Sequence, residues 1–240
     1  MKVLVISSSI LLTTVALVVA NKYLPSINLV IHHNSFINGL LKYQLFALLI
    51  AFLVIFITVK VAPESKILLQ FGNLNKIPEK EIWLGIDGKS NWKSNAIQFS
   101  IFVSIATSIF MFLGVQYSNS LGSFKWSFVP IILIVSLANS FSEEIIYRFA
   151  ANGNLMNSTP KLNILILSAI LFGLPHYFGY PNGITGVIMA GVLGYILSKI
   201  TYETQGIGVA WTIHFIQDVI IFTALLMMNT NNSIPQNSIQ

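Results

Sequence analysis

The chain has 240 residues, 55% hydrophobic and only 9% charged, with a mean hydropathy of +0.76. Soluble domains carry about 25% charged residues, so a water-solvated globule is excluded and lipid is the solvent for most of the surface. The net charge of +5 comes without a basic run, which argues against a nucleic-acid partner, and the lack of cysteine removes disulfides, iron–sulfur clusters and thiol nucleophiles.

Residues 3–20 form an uncharged run between Lys2 and Asn21-Lys22. It exceeds the ~7–15 residues of a signal-peptide core, so it reads as a retained helix rather than a cleaved leader. A more polar connection follows over 22–42, with Pro25 and the pair His32-His33, and then a second uncharged run over 43–59. The longest polar stretch, about 63–94, is broken by Gly72, Pro78, Gly85 and Gly88. It reads as an interfacial loop with one short amphipathic helix near 65–71.

A third span is expected over 95–116 and a fourth over 129–151, with Trp126 as interfacial anchor. The fifth covers 162–175, and an aromatic, Pro- and Gly-containing loop follows over 177–183. The sixth, 184–197, carries Gly183, Gly186, Gly191 and Gly194 at its start and along its length. Small residues at such spacing let helices pack closely. The seventh covers 207–228, and a polar, uncharged tail runs over 229–240. The expected fold class is therefore all-α: a polytopic transmembrane bundle of about seven helices, with six to eight compatible. Residues 1–128 form an N-terminal helical part, 129–228 the core that carries the chemistry.

With a cytoplasmic N-terminus, ten of the thirteen Lys and Arg residues fall inside, leaving Lys22, Lys42 and Lys125 outside. Setting Arg148 aside as a site residue leaves nine to three. The positive-inside rule then places the N-terminus in the cytoplasm, in what we expect to be a bacterial cytoplasmic membrane.

Against this background the stretch Phe141-Ser142-Glu143-Glu144-Ile145-Ile146-Tyr147-Arg148 stands out. Each ionisable group at the centre of a membrane helix costs roughly 2.5–3.5 kcal/mol, so an intramembrane cluster reads as a functional site by default. Glu144 and Arg148 are four apart and share one helix face; Glu143 is rotated from Glu144 by about 100°. His176 lies on the fifth span, and His214 and Asp218, again four apart, on the seventh. There Asp218 can fix the tautomer of His214 or serve as a ligand itself. A lone intramembrane His or an i,i+4 Glu–Arg pair is usually structural. Two His and several carboxylates on three apolar segments instead suit a carboxylate general base, with imidazoles that bind a metal or polarise a carbonyl.

Glu143-Glu144-x-x-x-Arg148, Phe172-x-x-x-His176 and His214-x-x-x-Asp218, in this order, resemble the motifs of the CAAX-protease and bacteriocin-processing (Abi) family of intramembrane proteases. The resemblance covers about 129–228; the first three helices contribute only hydrophobicity to it. Asp218 stands where the prenyl-protease branch has Asn. The resemblance implies an endopeptidase acting on a membrane-associated, prenylated or leader-bearing peptide or protein. Glu143 would activate water, with His176 holding or orienting it. His214 and Asp218 would act as metal ligands or transition-state stabilisers, and Glu144 and Arg148 would complete the catalytic set by positioning the helix and Glu143, with a direct catalytic role open to Glu144. The resemblance leaves open both a divalent metal such as zinc on His176, His214 and Asp218 and a metal-free, glutamate-activated water. H-E-x-x-H is absent, so no conventional zincin site is implied.

Two other readings compete. One is a non-catalytic immunity or scaffold protein of the same fold, against which the intact six-residue set argues. The other is an ion-coupled transporter, which the lack of inverted repeats disfavours. One geometric demand is left. With these spans Glu143 lies toward the cytoplasmic end of the fourth helix and His176 toward the far end of the fifth. They meet only if the fourth helix runs deep or the fifth is displaced inward.

Overall fold

The computed structural model describes residues 2–118, 124–179 and 182–230. These residues form eight α-helices and several 3₁₀ turns, with no strand among them beyond the isolated bridge Glu81–Ile86. The helices are α1 (Lys2–Tyr23), α2 (Ser35–Val61), α3 (Trp92–Ser118), α4 (Val129–Glu144), α5 (Ala150–Leu155), α6 (Lys161–Gly173), α7 (Gly183–Thr204) and α8 (Gly208–Thr230). A π-helical turn, Ile145–Phe149, joins α4 to α5 without a break. Seven segments among the described residues are long and apolar enough to cross a membrane, α4 and α5 counting as one, Trp126–Leu155. The protein is an all-α integral membrane protein. Of the polar tail expected from 229 onward, residues 231–240 lie outside the described residues, as do 119–123 of the connection before α4.

Helix limits differ from the sequence expectation where polar residues find partners inside the bundle. α2 begins at Ser35, capped by the Asn34 side chain, which accepts from the Ile37 amide at 3.0 Å. Lys42, expected in the preceding connection, therefore lies within the helix. It is buried and donates to the carbonyls of Ile27 (2.6 Å) and Pro25 (3.3 Å). α7 runs on to Thr204 and ends where Gln205 adopts a left-handed conformation with φ of 58°.

The extra turns of α7 carry Lys199 and Glu203, which sequence reading did not single out. Lys199 pairs with Glu203 (2.7 Å) and Glu81 (2.9 Å), and Lys161 pairs with Glu79 (2.8 Å) and Glu203. This network ties the polar loop to α6 and α7. Lys161 holds Glu79 below the usual carboxylate range by hydrogen bond and charge. For Glu81, burial acts upward, but bonds from Tyr195 and Lys199 outweigh it and hold this carboxyl low as well.

The same loop caps α8. Backbone amides at a helix start lack intrahelical partners. Those of Ile207, Gly208 and Val209 donate to the carbonyls of Leu68, Gln70 and Phe71 at 2.9, 3.2 and 3.0 Å. So close an approach needs glycine. A Cβ on Gly208 would lie 2.6 Å from Phe71 Cα, and one on Gly206 2.5 Å from the Gly72 amide nitrogen. Residues 65–71, expected as an amphipathic helix, give only the 3₁₀ segment Pro63–Leu68 before turning into this cap.

The most extensive helix pairing is α6 on α7, followed by α4 on α8, α3 on α8 and α2 on α4. Close packing by small residues holds on α7: a Cβ on Gly194 would meet Phe172 Cβ and Ala169 Cα at 3.2 Å. α4 and α8 thus occupy the interior, with α6 and α7 against the π-helical turn. That turn is wholly buried.

Candidate active site

Depth brings the site together. The segment Trp126–Leu155 has 30 residues, about 45 Å of helix at 1.5 Å per residue against a hydrocarbon core of about 30 Å. Glu143 is seventeen residues from its start and twelve from its end, near the middle of the segment. α6 is only 13 residues long, about 20 Å. A 3₁₀ turn, Leu174–Phe178, continues it and carries His176, fifteen residues from the start of the segment Lys161–Phe178. Glu143, twelve residues from the end of its segment, and His176, fifteen from the start of the next, thus reach similar depth from their shared connection and line one cavity.

His214 is buried at the centre of the cluster. Its Nδ1 lies 2.8 Å from Glu144 Oε1, and its Nε2 lies 3.4 Å from Glu143 Oε2 and 3.7 Å from Asp218 Oδ1. A carboxylate accepts, so Nδ1 carries the proton it gives to Glu144. The tautomer-fixing role that sequence spacing offered to Asp218 therefore falls to Glu144, on another helix. The same Glu144 oxygen sits 3.3 Å from Arg148 Nη1, both side chains fully buried. Glu144 thus joins a cation on its own helix to an imidazole on α8.

His176 donates from Nδ1 to the Phe172 carbonyl at 2.7 Å. A carbonyl can only accept, so its Nε2 is left as the acceptor nitrogen. The ring of Phe172 is the hub that packs these groups. Arg148 lies over it at 3.9 Å from the centroid, and the rings of His176, Tyr147 and His214 approach within 4.6, 5.3 and 5.6 Å. A guanidinium over an aromatic face is held by the ring quadrupole. That contact gives the phenylalanine of Phe172-x-x-x-His176 a physical task.

Four supporting residues, Asn139, Gln44, Gln217 and Thr107, were not found from the sequence. Asn139, one turn before Glu143, donates from Nδ2 to Asp218 Oδ2 (3.1 Å) and Glu143 Oε1 (3.3 Å). Gln44 on α2 donates to Asn139 Oδ1 at 3.2 Å, which fixes the amide with its nitrogen toward the carboxylates. On α8, Gln217 and Thr107 of α3 exchange hydrogen bonds of 2.9 and 2.6 Å. The i±4 spacing from Glu143 points to Asn139 and also to Tyr147, whose hydroxyl shares a 2.9 Å bond with Thr14 of α1. For Gln44 and Thr107 the available signal was a lone polar residue in an apolar span.

A cavity of about 500 Å³ reaches Glu143, His176, His214, Asp218 and Asn139 together. The rest of its wall is largely apolar, from α3, α7 and α8. Phe102 and Ile188, on α3 and α7, line it while 69% and 60% exposed, so its mouth faces lipid. Among the described residues no group of three or more His, Asp or Glu side chains is arranged to hold an ion. In the expected trio, Nδ1 of His214 is held by Glu144 and Nδ1 of His176 by a carbonyl, which leaves each Nε2, with Asp218 Oδ1, as the atoms a metal would take.

The fold and site define a polytopic helical membrane protein with a buried carboxylate–imidazole centre that opens toward the bilayer. Residues 125–220 match the family model described as type II CAAX prenyl endopeptidase Rce1-like. This agrees with the resemblance drawn from the three motifs and points to a CAAX-type intramembrane protease. No curated protein and no solved structure matches the chain.

Proposed function

We propose that the protein is an intramembrane endopeptidase in which Glu143 activates water for attack on a peptide carbonyl. The observation that carries this reading is the placement of Glu143. It lies at the inner end of a lipid-facing apolar cavity, beside His176 and His214 and hydrogen-bonded to Asn139. The substrate is a peptide or protein with a prenyl group or apolar leader that enters from the bilayer; the apolar walls take that portion and bring the scissile bond to the polar end. The cytoplasmic N-terminus and the bacterial membrane belong to the same proposal, on the charge count above.

The steps run through side chains. Glu143 takes a proton from water as the oxygen adds to the carbonyl carbon. His176, with Nε2 available, orients that water. His214, oriented by Glu144 through Nδ1–H, acts as the imidazolium: its second proton, on Nε2 beside Glu143 and Asp218, faces the charge that develops on the carbonyl oxygen. The C–N bond then breaks, and the amine leaves with the proton held on Glu143. One water is consumed per bond. Positioned proton transfer of this kind contributes about 10²–10⁴ in rate.

The test is cleavage of a lipid-anchored reporter peptide by purified protein, with wild type and Glu143→Gln compared and a chelator present or absent. Loss of activity in Glu143→Gln is expected, and the chelator arm reads whether a metal on the two Nε2 atoms takes part. Full activity in Glu143→Gln would sink the reading.

A further inference from the structure

A second, smaller cavity of about 160 Å³ also reaches Glu143 and His176. It shares Asn21 and Tyr43 with the large cavity, but Thr14, Val18 and Tyr147 line it alone. The two differ in chemistry. Where the large cavity presents mainly hydrocarbon, the small one mixes apolar residues with Thr14, Tyr43, Tyr147 and Asn21 beside the carboxylate. Thr14, Leu17, Val18 and Asn21 stand at i, i+3, i+4 and i+7 on one face of α1. That face runs two turns, about 10 Å, from the buried Thr14–Tyr147 bond to Asn21, which is exposed at the rim.

Peptide hydrolysis inside a membrane needs two things delivered to one carboxylate, an apolar substrate and water. A substrate that fills the large cavity displaces water from that side. Water persists in a cavity that offers it two to four polar partners, and a share of about 30 Å³ per molecule gives the small cavity room for about five. It is too small for a folded or extended peptide segment.

We propose that this vestibule, walled by α1, is the water-access site of the enzyme: it supplies the hydrolytic water to Glu143 while substrate occupies the lipid-facing cavity. Thr14 and Tyr147 bind the inner end of the water file, Asn21 its mouth. The proposal rests on Glu143 as the base, since only a hydrolytic site needs the supply. It also gives α1, which lies outside the matched segment, a direct part in the reaction.

The chain's lack of cysteine allows a direct test by single thiols in nanodiscs, with an anionic methanethiosulfonate as the probe. Val18→Cys lies in the vestibule; Leu12→Cys, at a position 71% exposed on the outer side of α1, faces lipid; Lys89→Cys is an exposed loop reference. The expected result is labelling of Val18→Cys, but not Leu12→Cys, at a rate that approaches Lys89→Cys and persists when a substrate analogue occupies the large cavity. Modification of Val18→Cys should then lower kcat roughly 10²-fold relative to the unmodified variant, the low end for positioned proton transfer, with KM unchanged. A Val18→Cys thiol as inert as Leu12→Cys overturns the proposal. So does modification that raises KM alone, which would assign the vestibule to substrate. Labelling does not depend on turnover, so the failure of Glu143 as base, seen as an active Glu143→Gln, is read separately from the failure of the vestibule.

Discussion

Arg148 is fully buried, and its charged partner among the described residues is Glu144, at 3.3 Å. Removing one member of a buried pair strands the other charge, at a cost of about 3–5 kcal/mol. Arg148→Met keeps an unbranched side chain over the Phe172 ring but leaves the carboxylate without its cation. For a chain of this size each kcal/mol moves the midpoint by about 2–4 °C, so the single variant should melt about 6–20 °C below wild type. Adding Glu144→Gln removes the stranded charge yet keeps an acceptor 2.8 Å from His214 Nδ1. The double variant should therefore recover most of the loss, because neutral replacements of a buried pair are often close to neutral in stability. Thermal unfolding in detergent, followed by tryptophan fluorescence, makes the comparison. A second substitution that restores stability is the signature of charge stranding. A single variant within about 2 °C of wild type, less than 1 kcal/mol by the same conversion, or a double variant no better than the single, would refute this account.

Asn139→Leu removes the donor shared by Glu143 and Asp218. A hydrogen bond to a charged group contributes about 1.5–3 kcal/mol, so kcat should fall about 10- to 10²-fold with KM little changed. Gln44→Leu added to it should cost little more, since both act through one amide; additive losses would show independent roles. At the loop network the sign of the pH effect follows from Glu79. Its folded value is depressed by the Lys161 hydrogen bond. The tie is therefore present above the unfolded glutamate value of roughly 4.3 and lost as pH falls through the lower folded value. Pepsin cleavage within residues 72–88 should accelerate below that point, and Lys161→Met should show the faster cleavage already at higher pH within the protease's working range. Equal cleavage rates for the two proteins at every pH would show that the pairing does not hold the loop.

Hydropathy and motif order carried much of this architecture. A charge-poor span is legible because lipid penalises every exception, which is why all seven spans appear in sequence, and the same penalty makes Glu143, Glu144 and Arg148 conspicuous. What spacing does not carry is the choice of partner across helices. His214 and Asp218 are four apart, yet Nδ1 turns to Glu144 on α4, because α4 and α8 pack against each other. Charges near span ends were read as loop residues, and Lys42, Lys199 and Glu203 prove to be buried where backbone carbonyls or opposite charges satisfy them. The fourth span runs on to Leu155, past the limit expected from the sequence, and that extra length turned an apparent mismatch of depth into a meeting of Glu143 and His176.

Each of the first three helices donates one polar contact to the helices that hold the motifs. Thr14 of α1 meets Tyr147, Gln44 of α2 meets Asn139, and Thr107 of α3 meets Gln217. Tyr147 and Asn139 flank Glu143 by one turn on either side, and Gln217 precedes Asp218. The segment that matches the family model is therefore smaller than the segment that builds the candidate site. A hybrid in which residues 125–220 are grafted behind the leading helices of another membrane protein would inherit the signature and lose three of its struts. In divergence, positions 14, 44 and 107 should change together with 147, 139 and 217 while the motif residues stay fixed, so that the tempo of the N-terminal half is set by three hydrogen bonds rather than by its hydrophobicity.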